Sequence, residues 1–385
     1  MVVGLLGSVT VMVLVRRDEP SLFPSLRLRR STRIAFLGNS MMYFNDFPRF
    51  FQALVASCSD HSVTQHSCLH GGASIPTLLI NGNGMYDQFG TPNSALEHFD
   101  DYTIYDYGAC TVPQLLTGDD DRLNDPGYAN FTEKIGDTNN TNQNPCREDP
   151  HYLQYSKDYF PQLISNGDYW DYIIINDNTR DPSRFASRAR SLQFLEAFYV
   201  PMLLTMHATP VFLWTHAYFV NSTLERNMTG LEDVANFTSL TGVGYRTYAK
   251  LLSQHLPPSR KPRIAPVGLG FLMVHEERPD LWIQMFHNAD HLHASPSGSY
   301  LQGCIVYHTI YGQMPQPILP NDTKWAPRLW KDARMMQHAW EPPNPFPTMD
   351  MTEYLYDVCE RIMVHGELPK TYIEYADDVV AHEGS

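Results

Sequence analysis

The chain has 385 residues, 43% of them hydrophobic and 12% aromatic, enough to bury a large core and too apolar for a disordered chain. Its 42 acidic residues against 28 basic ones leave a net charge of −14 and a pI near 5.5. That balance argues against a nucleic-acid backbone or an anionic membrane surface as the main partner, because any basic patch would have to be local.

In chain order, Met1 to Val15 form a mostly apolar run that ends at Arg16 and Arg17. It is shorter than the ~20 residues a spanning helix needs and suits the core of a signal peptide. An uncleaved anchor is the alternative, because no basic residue precedes the run and no clear small-x-small cleavage site follows it. Residues 1–30 are therefore read as a targeting segment and linker, and residues 31–385 as one domain. Localisation is expected outside the cell or in the secretory lumen, with membrane contact only through that possible anchor.

Short apolar strands are expected at Arg33 to Leu37, Tyr172 to Asn176, Pro210 to Trp214 and Arg263 to Val267, each rich in β-branched or aromatic residues. Helices are expected at Asp46 to Ser57, at Ser183 to His207 with an interruption at Pro201, at Gly244 to His255, at Ser297 to Tyr311 and at Thr352 to Val364. This alternation implies an α/β domain with a central parallel sheet covered by helices on both faces. The stretch from about Asn81 to Pro150, rich in Gly, Asn, Asp and Thr and carrying Asp119, Asp120 and Asp121, breaks the rhythm and reads as an insertion.

Asn130, Asn139, Asn221, Asn227, Asn236 and Asn321 each begin an Asn-x-Ser/Thr triplet, as surface segments of a glycoprotein do. The six cysteines contain no Cys-x-x-Cys pair, which disfavours structural zinc and favours disulfides. Proximity in sequence makes Cys58 with Cys68 and Cys110 with Cys146 plausible pairs, and Cys304, inside an apolar run, suits a buried thiol.

Two segments carry chemistry. In IAFLGNSMMYFND a buried strand ends at Gly38 and is followed by Asn39, Ser40 and a helix, which places Ser40 at the carboxyl end of a strand, where open parallel sheets bind ligands. In NADHLHASPSGSYLQGC, Asp290 precedes His293 by three residues in a polar turn ahead of an apolar helix, so both can reach one site. A hydrolytic serine needs a base to take its proton, and that base needs a carboxylate to hold its tautomer. A competing reading takes His287, His291 and His293 as metal ligands, although no further acidic or histidine cluster lies nearby to complete a site.

With these blocks, the glycine pair in HGGAS, the polar segment WDYIIINDNTRDP and the APVG at Ala265 to Gly268, the chain from about Arg33 to Gln313 resembles the SGNH (GDSL-type) hydrolase superfamily in motif order. The resemblance implies a flavodoxin-like three-layer α/β/α sandwich. It implies Ser40 as nucleophile and one arm of the oxyanion hole, with Asp290 and His293 as acid and base. The second oxyanion donor is expected at Gly72, with Gly71 as alternative, and the third is the Asn178 amide, with Asn176 as alternative. Two departures stand out: Asn39 replaces the aspartate of GDS, and the usual GxND block is altered. No metal or organic cofactor is implied. The expected substrate is a small-molecule or glycan ester, with Tyr86, Tyr105, Tyr107, Trp214 and Tyr218 available to stack on sugar rings. A lipase, thioesterase or acyltransferase of the same superfamily, or a glycan-binding protein without turnover, are the alternatives.

Overall fold

The computed structural model describes residues 31–58, 62–89, 108–119, 145–150, 152–167, 169–217, 231, 233–288, 290–322, 329 and 347–376. The targeting segment, the sequons at Asn130, Asn139, Asn221 and Asn227, and Tyr105, Tyr107 and Tyr218 lie outside the described residues. Five strands form one sheet: β1 (Ser31–Gly38), β2 (Ser62–Leu69), β3 (Tyr172–Ile175), β4 (Thr209–Leu213) and β5 (Arg263–Ala265). The order is β2-β1-β3-β4-β5 and every pairing is parallel.

Parallel strands need covered crossovers, and the helices supply both outer layers. The helices used below are α1 (Ser40–Tyr43), α2 (Phe47–Cys58), α3 (Ile75–Asn81), α4 (Met85–Phe89), α5 (Val112–Thr117), α6 (Lys157–Ser165), α7 (Phe185–Phe194), α8 (Val200–Leu204), α9 (Val234–His255), α10 (Val267–Glu277), α11 (Pro279–Trp282), α12 (Pro296–Tyr311) and α13 (Met349–Met363). One layer gathers α2, α10, α12 and α13; the other gathers α3, α5, α7, α8 and α9. The chain is thus a three-layer α/β/α sandwich, as expected.

Local sequence accounts for the main elements. In α2 the buried positions Phe47, Phe50, Phe51, Leu54 and Val55 recur at helical spacing, so one face meets the core. Ile173, Ile174 and Ile175 of β3 are all buried, as a central strand covered on both faces requires. Ser295 caps α12 by accepting from Gly298 N–H, Pro296 opens it, and Gly312 closes it in the left-handed region.

Some boundaries and elements differ from expectation. β2 was not expected, because SVTQHSCL buries polar Gln65, His66 and Ser67 at an edge strand and so hides its alternation. His66 is satisfied by the Tyr159 hydroxyl at 3.0 Å. Helix α10 was also unexpected: its Gly268 and Gly270 lower helix propensity but let it approach closely, since a Cβ on Gly268 would lie 2.8 Å from the Trp214 ring nitrogen. Helix α9 begins at Val234 rather than Gly244. The expected interruption near Pro201 is a π-helical turn at Leu195–Tyr199 that leads into α8. Within the insertion, α4 and α5 are ordered elements.

The cysteines divide. Cys110 and Cys146 form a disulfide closing 36 residues, buried beside Tyr152 with Tyr86 packed on it. Cys58 and Cys68 are both free thiols, so that expected pair does not form. Cys58 ends α2 and faces the Gln316 carbonyl at 3.5 Å, while β2 carries Cys68 about 20 Å from the turn at ~3.3 Å per residue, too far for a bridge. Cys304 is a buried free thiol.

With β1 flanked by β2 on one side and β3 on the other, the chain reverses direction across the sheet between β1 and β3. The carboxyl ends of these two strands therefore open a crevice, the place where open α/β sheets bind ligands. Gly38 sits at that point, and a Cβ there would fall 1.7 Å from the Asn176 side-chain oxygen. Gly38→Ala is expected to lower stability by about 1–3 kcal/mol through overpacking, measured as a fall in the denaturant midpoint. An unchanged midpoint would show that Asn176 moves aside at no cost.

Candidate active site

Ser40 is the first residue of α1, directly after β1, and is 8% exposed. Asn39 caps that helix by accepting from Met41 N–H at 3.1 Å. The first N–H groups of a helix have no partner within it, and the Ser40 N–H is bonded to nothing among the described residues. After α1 the chain passes Asn45 and Asp46, both at positive φ (63° and 42°), which bends it sharply into α2. The bend aims the Asn45 amide at the Ala294 carbonyl (2.8 Å) and at Ser299, joining the serine turn to the segment that carries the histidine.

That segment is a closed turn. Phe286 and Ala294 bridge its base, and His287 N–H donates to the His293 carbonyl at 2.8 Å. Inside it, Asp290 Oδ1 accepts from the N–H groups of Leu292 (2.8 Å) and His293 (3.1 Å), and Asp290 Oδ2 meets His293 Nδ1 at 2.6 Å. Burial by itself raises the Asp290 carboxyl, but the bond to His293, its charge and the two N–H groups outweigh that effect and hold it below the usual carboxylate range. An ionised Asp290 fixes the proton of His293 on Nδ1 and leaves Nε2 as the acceptor. The His293 ring lies flat on Phe44, with centroids 3.6 Å apart and planes 5° apart. Its Nε2 is buried and without a hydrogen-bond partner.

Asp290 and His293 are therefore brought together, and Phe44, four residues after Ser40, holds the imidazole against the serine turn. Ser40 Oγ and His293 Nε2 make no hydrogen bond to each other. His287 and His291 do not converge with His293: among the described residues no group of three His, Cys, Asp or Glu side chains could hold a metal ion.

Gly72 is exposed at φ +66°, a backbone that side chains rarely adopt, and its N–H also lacks a partner among the described residues. Asn178 stands beside it and donates one amide N–H to the Gly72 carbonyl at 2.9 Å. Asn176 is different: it is 1% exposed and its amide is taken up by Asn39 Oδ1 and the Asp177 carbonyl, both at 2.9 Å. Asn178 thus lies at the open face and Asn176 beneath it. Trp214 is 4% exposed and packed against Gly242 and Gly268, which removes it from sugar stacking.

Two residues escaped the sequence reading. His216, just beyond β4, is fully buried, stacks on Phe271 at 4.2 Å and bonds through Nδ1 to the Ala217 carbonyl. Burial pushes its pKa down to about 4, with His293 adding to the effect, so it remains neutral and adds no positive charge beside the dyad. Asp177 is fully buried; burial raises its pKa against hydrogen bonds from Ser191, Ile75, Tyr248 and Asn178. Among the described residues, no helix is long and apolar enough to cross a membrane.

No protein-family model and no curated relative matches the chain. Among solved structures it is similar to a protein from Slackia heliotrinireducens described only provisionally as an SGNH hydrolase, at 15% identity over 73% of this chain and 100% of that one, with a TM-score of 0.39. It is also similar to a DUF4886 family protein from Bacteroides uniformis, at 12% identity over 83% of this chain and 99% of that one, with a TM-score of 0.43. A third likeness is to a gut microbial diltiazem-metabolizing enzyme, at 10% identity over 73% of this chain and 47% of that one, with a TM-score of 0.34. Likenesses this distant carry no argument about chemistry, which rests on the side chains described above.

Proposed function

We propose that the chain is a serine hydrolase that cleaves carboxylic esters through an acyl-enzyme, with small acyl groups on glycans as the favoured substrates. The observation that carries this reading is the Asp290–His293 pair at 2.6 Å, with Nε2 left unpartnered and the ring stacked on the residue that ends the Ser40 turn. Ser40 Oγ attacks the ester carbonyl while its proton passes to His293 Nε2, and Asp290 stabilises the imidazolium. The Ser40 and Gly72 N–H groups and the remaining N–H of the Asn178 amide receive the oxyanion. The tetrahedral intermediate expels the alcohol, which takes the proton from Nε2. Water then repeats the sequence and releases the acid. No group beyond these side chains and water enters the balance.

Secretion fits the Cys110–Cys146 disulfide, a bond that persists in oxidising compartments. The net charge of −14 suits a neutral ester or glycan better than a polyanion. A binding protein without turnover is the second reading, favoured by one observation: Asn178 already commits part of its amide to Gly72.

Hydrolysis of p-nitrophenyl acetate and a longer-chain homologue by the full chain tests the proposal. Ser40→Ala is expected to lower kcat by about 10,000-fold or more, and acetate is expected to be the better substrate. Turnover that survives in Ser40→Ala would reject the mechanism, a longer-chain preference would point to a lipase, and no turnover at all would favour the binding protein.

The pH profile is a second test. A protonated His293 cannot accept the serine proton, whereas Asp290 is held below the carboxylate range and His216 gains its proton only near pH 4. Activity is therefore expected to fall on the acid side with the slope of a single ionisation. A profile with no acid limb at any pH at which the protein stays folded would remove His293 as the base.

A further inference from the structure

Asp177 has both side-chain oxygens and both backbone groups engaged. Its Oδ1 accepts from two backbone N–H groups, those of Ile75 at 2.8 Å and Asn178 at 2.9 Å. Its Oδ2 accepts from the Ser191 hydroxyl at 2.6 Å and the Tyr248 hydroxyl at 2.8 Å. Its N–H donates to the Tyr245 hydroxyl at 3.2 Å, and its carbonyl accepts from the side-chain amides of Asn39 and Asn176.

The partners of Oδ1 give this arrangement its meaning. Ile75 opens the helix three residues after Gly72, and Asn178 carries the third donor, so one carboxylate oxygen ties together the two loops that present Gly72 and Asn178. The other oxygen anchors that junction to α7 through Ser191 and to α9 through Tyr248. The Asn39 amide extends the frame to the serine turn by donating to the carbonyls of Ala73 (2.8 Å) and Asp177 (3.0 Å).

Resting on the serine-hydrolase reading above, we propose that Asp177 is a positioning residue that locks the Gly72 and Asn178 loops into one rigid frame with Ser40, so that the oxyanion donors stand in place before substrate arrives. With two hydrogen bonds on each oxygen and no exposure, it makes no proton transfer to substrate. A misplacement of about 1 Å can cost on the order of 100-fold in rate, and each lost oxyanion donor about 100- to 1000-fold. The frame therefore acts on kcat.

A buried charge and a geometric clamp are separated by two substitutions. Asp177→Asn keeps an oxygen for the Ile75 and Asn178 N–H groups, and its new NH₂ faces two hydroxyls that can rotate to accept. Asp177→Ala removes both oxygens and leaves the two N–H groups unpaired.

The test measures p-nitrophenyl acetate kinetics and amide hydrogen exchange of residues 70–81 and 176–184 in the full chain. Asp177→Ala is expected to lower kcat by about 100-fold with KM changed less than about threefold, and to speed exchange in both segments. Asp177→Asn is expected to recover kcat to within about tenfold of the wild type. A folded Asp177→Ala with wild-type kcat, or an Asp177→Asn as slow as Asp177→Ala, overturns the proposal. Should Asp177→Ala not fold, Tyr248→Phe and Ser191→Ala each remove one anchor: a several-fold fall in kcat at constant KM supports the clamp, and no change overturns it. If the wild type shows no Ser40-dependent turnover, the hydrolase reading fails by itself. Exchange then decides the clamp, faster in Asp177→Ala or Tyr248→Phe if it exists and unchanged if it does not.

Discussion

Two buried side-chain amides face each other across the carboxyl ends of β1 and β3, and the site is organised around them. Asn39 N–H donates to Asn176 Oδ1 at 3.2 Å, and Asn176 Nδ2 returns a bond to Asn39 Oδ1 at 2.9 Å. A buried polar group left unpaired costs about 1–3 kcal/mol, and both amides avoid that cost by bonding to each other's residue and to the backbone of Met41, Ala73 and Asp177. The geometry explains two features of the sequence at once. Gly38 must lack a side chain, because Asn176 occupies the space a Cβ would need. Position 39 needs an amide rather than a carboxylate, because its Nδ2 donates to the carbonyls of Ala73 and Asp177, which an aspartate could not do. The departure from GDS thus has a structural cause and leaves the Asp290–His293 pair untouched.

The second constraint is on the imidazole. A closed turn holds Asp290 and His293 in register, and Phe44 fixes the ring plane from the serine side. The backbone directly after Phe44 is unusual, with Asn45 and Asp46 both at positive φ, a conformation that costs non-glycine residues of order 1–3 kcal/mol each. Asn45 offsets part of that by bonding across to Ala294 and Ser299. The strain lies where the Ser40 turn meets the Asp290–His293 loop, which ties local backbone geometry to the relative placement of Ser40 and His293.

What the sequence made legible was local. The isoleucine run of β3, the helical spacing of phenylalanines in α2 and the three-residue step from Asp290 to His293 each announce themselves within a few positions. The missing pieces are set by tertiary partners. β2 buries polar residues that no periodicity rule marks as strand, and the Cys58–Cys68 pairing failed because strand rise separates residues that are close in sequence. Asp177 looked like one letter of an altered motif; its role emerges from Ile75, Ser191 and Tyr248, which lie 102, 14 and 71 positions away. A buried acidic residue directly after a central strand was the available signal, since carboxylates are rarely fully buried without several donors. His216 carried no comparable sign.

The most direct test of Ser40 as an activated nucleophile is covalent capture with a fluorophosphonate, followed by mass mapping of the modified peptide. The expected result is one adduct per chain, located on Ser40 and lost in His293→Ala. An adduct on a different residue, or none on the folded protein, would contradict the assignment of Ser40 and His293 to a single reacting pair.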